Sequence, residues 1–220
     1  MSDQDQEERA AEQKKYETVW TFDTYREFSP GARAAEQLKL VEVLRRHGVR
    51  SVLDAGCGSG KLMRRILETC GDEFDVHGFD IAANCLDPWF APIRDRILTV
   101  GCLWDAADFN QDHDAILCTD VLEHVPTEHV PQVLRNLRVH ARRLVYIAVA
   151  LLPDCMGEQT VGKALHLTVQ PPAWWRTRLL EAGFTDVRPL IEVDKATRQE
   201  LWFHAFLETG SAHPVGSCSA

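Results

Sequence analysis

The sequence predicts an α/β fold: a seven-stranded sheet, mostly parallel, with an antiparallel C-terminal strand and helices on both faces. Three observations carry that prediction. From residue 51 onward, short apolar runs alternate with amphipathic segments, which is the pattern of βαβ units in a largely parallel sheet. The first such run breaks into three closely spaced glycines and then enters a helical pattern, as a strand–loop–helix turn does. The last two runs are joined by a short polar turn around Asp194 to Thr197, which makes them an antiparallel pair.

Taken in order, residues 1–15 are rich in Gln, Glu and Asp and read as a disordered tail. Tyr16, Trp20, Phe22, Tyr25 and Phe28 follow as an aromatic cluster. Ser29 and Pro30 then supply an N-cap and a first-turn proline for a helix to about His47. Ala34, Leu38, Val41 and Leu44 share one side of it, and Gly48 ends it. Residues 16–48 therefore form an N-terminal helical segment, placed either as a lid over a pocket or against the body of the domain. The domain proper spans 49–208. Its strands are expected at 51–55, 75–80, 96–103, 114–119, 143–150, 186–193 and 200–208. Helices are expected at 59–70, at 82–90 (broken by Pro88), at 127–141 and at 171–182, the last stopped by Gly183. Residues 209–220 read as a second disordered tail.

The bulk composition narrows the function classes. With 45% hydrophobic and 26% charged residues, the 220-residue chain is ordinary for one globular domain. A net charge of −9 leaves no basic footprint for a phosphate backbone, so nucleic acid is a disfavoured partner. The seven cysteines form no C-x-x-C pair, which fits reduced thiols in a cytoplasmic protein rather than a disulfide framework. No apolar run approaches the roughly 20 residues that cross a bilayer, and the charged, polar N-terminus is no secretory signal.

The chemistry concentrates at Ser51 to Gly60. A dinucleotide fingerprint needs G-x-G-x-x-G, whereas Gly56, Gly58 and Gly60 are spaced G-x-G-x-G, with Lys61 where the third fingerprint glycine falls. Asp54 precedes the first glycine. A carboxylate there repels a pyrophosphate and receives a cationic amine, so the ligand is expected to carry a positive group, as an amino acid does.

The run Asp54-Ala-Gly-Cys-Gly-Ser-Gly60 resembles the first motif of the class I S-adenosylmethionine-dependent methyltransferases. That resemblance covers about residues 50–150 and implies a Rossmann-like, doubly wound sheet with S-adenosylmethionine as cofactor. It implies a cofactor set of Asp54, Gly56, Cys57, Gly58 and Gly60 in the loop. Asp80, at the end of the second strand, falls on the ribose hydroxyls, with Ile81 beside it. Leu103 and Trp104 flank the adenine, with Asp105 accepting from its amino group, and Thr119 and Asp120 close the fourth strand. The following Val121-Leu-Glu-His-Val125 run looks like one found in small-molecule members, so a small-molecule acceptor is expected.

His124 is expected near the methyl group, as the base for a hydroxyl acceptor or simply as a cap of the next helix or a partner of a backbone carbonyl. Asp120, Glu123 and His124 are spaced i, i+3, i+4, and His166 lies 42 residues beyond His124. This arrangement resembles the metal-assisted small-RNA 2′-O-methyltransferases and ubiquinone-type O-methyltransferases. It implies a divalent metal (Mg²⁺, Mn²⁺ or Zn²⁺) on Asp120, Glu123, His124 and His166, with the two histidines catalytic. The alternatives are a metal-assisted 2′-O-methyltransferase of RNA and a cofactor-binding partner protein without chemistry. The acceptor pocket is expected between residues 16–33, residues 152–168, and Trp174 with Trp175.

Overall fold

The computed structural model describes residues 3–27, 33, 38–154 and 156–209. Five strands are β1 (Ser51–Ala55), β2 (Asp75–Asp80), β3 (Leu98–Val100), β4 (His113–Thr119) and β5 (Ala141–Ala150). Two more, β6 (Leu190–Val193) and β7 (Glu200–Glu208), complete one sheet in the order β3-β2-β1-β4-β5-β7-β6. β1 to β5 are parallel, and β7 runs against both β5 and β6. The chain reverses its direction of travel across the sheet between β1 and β4. Their carboxyl ends therefore open a crevice, the usual ligand position of a doubly wound sheet.

Both faces of the sheet are covered, and the strands alternate between two apolar layers. Leu53, Phe79, Ile116, Val145 and Ile147 pack on one face, with Leu134 and Leu137 of a helix at Val130–His140 (α6) and Trp175 of a helix at Pro172–Glu181 (α8). Val52, Val76, Leu117, Leu144 and Tyr146 pack on the other. There they meet Leu44 from a helix at Leu40–Arg46 (α3) and Met63 and Ile66 from one at Lys61–Cys70 (α4). The two tryptophans expected at the acceptor pocket lie elsewhere. Trp175 is core, and Trp174 packs against the same cluster with its ring 4.9 Å from that of Trp175.

Several boundaries move. The first 15 residues are not a structureless tail: a helix runs over Asp3–Val19 (α1). Good helix formers and the pairs Lys15–Glu12 (2.5 Å) and Gln13–Glu17 (3.1 Å) favour it. Arg9 then ties it to Asp105 (3.2 Å) and Asp108 (2.8 Å), and Glu8 to His129 (2.9 Å). A short helix at Asp23–Glu27 (α2) follows. Of the helix expected over 29–47, α3 is the described part, and Gly48 ends it at φ 62°. Phe28, Ser29, Pro30 and Ala34, Cys155 and Cys218, and the tail from 210 lie outside the described residues.

No helix spans 82–90. Asp87 caps a single 3-10 turn at Pro88–Phe90 by accepting from the Trp89 amide (2.9 Å), because the proline lacks the donor a continuing helix needs. Short helices follow at Arg94–Ile97 (α5) and, after β5, at Gly157–Val161 (α7). The strand expected over 96–103 shrinks to β3, since Asp108 takes the Cys102 amide (2.7 Å) into a turn. The strand expected over 186–193 begins only at Leu190.

Candidate active site

The loop after β1 is held by the end of β2. The Gly56 and Cys57 amides both donate to the Phe79 carbonyl (2.7 and 3.0 Å), and Gly58 N donates to Asp80 Oδ2 (2.9 Å). The Ala82 amide fixes Oδ1 of the same carboxylate (2.9 Å). Asp80 is thus oriented at both oxygens, while each oxygen keeps a further lone pair for a ligand hydroxyl. Gly56 sits at φ 78°, and a Cβ there would lie 2.4 Å from Val121 Cγ2. Gly58 sits at φ 51°, and a Cβ there would lie 2.8 Å from the Trp20 ring, so the indole rests on the loop itself.

A cavity of about 150 Å³ opens above this loop at the crevice between β1 and β4. That is several times the roughly 30 Å³ share of one water, so the space suits a ligand group. Its wall includes Asp54, Gly56, Cys57, Gly58, Asp80, Ile81, Leu103, Trp104, Thr119, Asp120 and His124 from the expected set. Gly60 is not on the wall. It opens α4 at φ 80° and backs onto Phe90 and Leu86. Asp105 is not on it either, since its carboxylate is used by Arg9 and by the Ala107 amide (3.0 Å).

Three carboxylates face this space from the ends of β1, β2 and β4. Burial, reinforced by the neighbouring charge of Asp80, pushes Asp54 up to about 7. Burial pushes Asp80 up to about 6, against the opposing pull of its backbone N–H bonds. Burial also raises Asp120, against the attraction of His166. Asp120 holds φ 62°, a left-handed backbone, with its amide on the Ala148 carbonyl (2.9 Å). Buried carboxylates clustered this way are stabilised by a cationic ligand.

The Asp120-Glu123-His124-His166 set does not assemble as a whole. Leu122–His124 is a 3-10 turn, so the i, i+3, i+4 spacing does not put the three side chains on one helical face. Glu123 turns inward. Its Oε1 accepts from the Ala150 amide (2.5 Å), and its carbonyl accepts from Leu167 N (2.7 Å) and Thr168 N (2.8 Å). Burial and the Asp120 charge drive the Glu123 carboxyl well above the usual carboxylate range, and it also shares a hydrogen bond with Asp120. Side chain and carbonyl together tie strand β5 to the 165–168 segment. Asp120, His124 and His166 do converge, each offering a ligand atom within 4.8 Å of the others. His166 Nδ1 bonds the Leu152 carbonyl (2.6 Å), which leaves Nε2 as the basic nitrogen.

His124 packs edge-on against His166, with ring centroids 4.7 Å apart. Burial, then His166, hold its pKa down to about 3, so the ring is neutral. It bonds the Leu165 carbonyl, and its Nδ1 is buried without a partner.

The wall also includes Glu12 and Tyr16 of α1, Trp20, and Tyr25 of α2. The sequence placed Tyr16, Trp20 and Tyr25 at the acceptor pocket only as part of the 16–33 stretch, and did not single out Glu12. The signal was there, because Glu12, Tyr16 and Trp20 recur every four residues, one face of a helix.

Residues 52–143 match a family model described as a methyltransferase domain. No curated protein sequence matches the chain. Among solved structures it is similar to magnesium protoporphyrin IX methyltransferase (ChlM) from Synechocystis PCC 6803 with bound SAH. That match has 21% identity over 81% of this chain and 85% of the other, with TM-score 0.55. It is also similar to an O-methyltransferase family protein from Burkholderia thailandensis (16% identity, 88% and 62% covered, TM-score 0.57). A third is the methyltransferase domain of bacterial CtHen1 (20% identity, 80% and 99% covered, TM-score 0.58).

Proposed function

We propose that the chain is a class I S-adenosylmethionine-dependent methyltransferase, a reading supported by the methyltransferase-domain model over residues 52–143, and that it methylates a hydroxyl of a small molecule in a biosynthetic or tailoring pathway. The observation that carries this reading is the ring of Asp54, Asp80 and Asp120 around the glycine loop. S-adenosylmethionine brings an ammonium and a sulfonium to those buried acids and a ribose diol to the oriented Asp80 carboxylate. Asp54, Gly56, Cys57, Gly58, Asp80, Ile81, Leu103, Trp104, Thr119 and Asp120 form its binding surface, with Gly60 supporting from behind.

The transfer is an in-line displacement. Bound S-adenosylmethionine would supply the methyl group, its sulfur keeping the bonding pair, while the acceptor hydroxyl would give its proton to His124 Nδ1 as its oxygen bonds the methyl. His124 supports the choice of oxygen, since its unpartnered Nδ1 is a buried acceptor on the wall beside Asp120. α1 and α2 act as the cover that excludes water. Among the described residues no helix is long and apolar enough to cross a membrane. The five described cysteines are free, in keeping with a cytoplasmic setting. Incubation with methyl-labelled cofactor and a panel of hydroxyl, amine, thiol and carbon acceptors tests the reading. Label on hydroxyl compounds, lost in His124→Ala, is the expected result. Cofactor binding with no transfer to any class would favour a partner protein without chemistry.

A second reading is favoured by the convergence of Asp120, His124 and His166 within 4.8 Å. These three, without Glu123, would hold a divalent cation, which would polarise the acceptor oxygen and lower its pKa. Full activity after EDTA treatment would dismiss it, whereas loss restored by one added metal would replace His124 as the base.

A further inference from the structure

Four polar side-chain atoms on the cavity wall are buried and bonded to nothing: the Tyr16 hydroxyl, Nε1 of Trp20, Nε1 of Trp104 and Nδ1 of His124. Each buried, unsatisfied group costs about 1–3 kcal/mol, so four around one space outline a polar ligand. They divide by position. Trp104 follows β3 beside Gly101 and Leu103, and Trp20 lies on Gly58, so both belong to the cofactor end. Tyr16 and His124 meet on the far side, their rings 6.0 Å apart and 78° to each other. Tyr25 also lines the cavity, its ring edge-on to Trp20 at 5.0 Å.

The charge of the wall restricts what fits between Tyr16 and His124. Glu12, Asp54, Asp80 and Asp120 line the cavity, and among the described lining residues none is Arg or Lys. The nearby cation, Lys15, is spent on Glu12 at 2.5 Å and covers the Tyr16 ring at 4.9 Å. An acceptor carrying a carboxylate or phosphate would be desolvated there against Glu12 and Asp120, with Lys15 already paired to Glu12. A neutral or protonated amine-bearing acceptor meets no such penalty, and the rings of Tyr16, Trp20 and Tyr25 suit an aromatic one.

We infer that Tyr16 and His124 are the two poles of the acceptor subsite, with Tyr16 hydrogen-bonding a phenolic acceptor that is neutral or cationic and never anionic. The inference rests on the methyltransferase reading and deepens it to a substrate class. It also gives the N-terminal helix a direct part in specificity, since Tyr16 is contributed by α1 and not by the sheet.

The test uses the full chain saturated with S-adenosylhomocysteine and three probes of one ring size: phenol, tyramine and 4-hydroxybenzoate. Affinities are read by ligand-observed NMR titration. Phenol and tyramine are expected to bind, tyramine at least about tenfold tighter than 4-hydroxybenzoate. Tyr16→Phe is expected to weaken phenol and tyramine by about tenfold, the loss of one hydrogen bond, with S-adenosylhomocysteine affinity changed less than about twofold. Equal or tighter binding of 4-hydroxybenzoate, no binding of any probe, or an unchanged Tyr16→Phe variant overturns the inference. Equal weakening of S-adenosylhomocysteine by Tyr16→Phe also overturns it and assigns the hydroxyl to the cofactor. Failure of the unmutated chain to bind S-adenosylhomocysteine is a different result, and it removes the methyltransferase reading itself.

Discussion

The two ends of the cavity are built in opposite ways. The proposed cofactor end is made by backbone: strand ends, a glycine loop clamped to the Phe79 carbonyl, and an Asp80 carboxylate gripped by two amides. The proposed acceptor end is made by side chains on elements outside the sheet: Tyr16 of α1, Tyr25 of α2, and the turn that carries His124. A backbone site is fixed once the sheet forms, and substitution there breaks the loop. A side-chain site is fixed by packing, and substitution there changes what is recognised. The difference teaches where variation is tolerated.

The largest effect is expected at the clamped end. Gly56→Val places a side chain against Val121 in a left-handed backbone, and it is expected to abolish S-adenosylhomocysteine binding by calorimetry, a loss of more than about a hundredfold. Asp80→Ala keeps the Phe79 clamp but removes both the proposed acceptor of the ribose hydroxyls and the partner of the Gly58 amide. Its expected cost is about tenfold to a hundredfold in affinity. If Asp80→Ala bound as tightly as the unmutated chain, the backbone end would not be the cofactor end.

A smaller effect separates scaffold from chemistry at Glu123. Glu123→Ala leaves the Ala150 amide unpaired in the core and should destabilise the fold by about 1–3 kcal/mol, read as a lower urea midpoint. Glu123→Gln keeps an acceptor and should recover most of that stability and the activity. A Glu123→Gln variant that folds normally but is inactive would return this residue to the reacting centre.

The smallest effect is on pH. Asp54 and Asp80 have folded-state pKa values raised to about 7 and about 6, so in the free protein they contribute stability at low pH that is lost as pH rises through those values. A ligand ammonium placed beside them reverses the balance by favouring the ionised acids. S-adenosylhomocysteine affinity is therefore expected to rise several-fold between pH 5.5 and 8, while the free protein's stability gains nothing from these two groups over the same range. An affinity that falls with rising pH would contradict the charge assignment.

The same division explains what was legible in the sequence. Asp54, the glycine spacing, Asp80 and Thr119-Asp120 could be read because each is tied to a strand end whose apolar run is visible. β1, β2, β4, β5 and β7 fell within two residues of their expected bounds. What failed depended on contacts made across the chain. α1 looked like a solvated tail because its anchors, Asp105, Asp108 and His129, lie about a hundred residues away. The Glu123 carboxylate looked like a ligand because an i, i+3, i+4 pattern presumes an α-turn, and the chain makes a 3-10 turn there. The region 82–97 broke into short turns because Pro88 and the cap by Asp87 outweigh a weak helical period.

The central claim is that the buried acids at the strand ends hold the ammonium and the ribose of a nucleoside cofactor. Isothermal titration of S-adenosylhomocysteine into the unmutated full chain and into Asp80→Ala, at pH 7.5, tests it most directly. Saturable one-to-one binding by the unmutated chain, weakened at least about tenfold in the variant, is the predicted result. No heat of binding from the unmutated chain, or identical affinities for the two proteins, would contradict it.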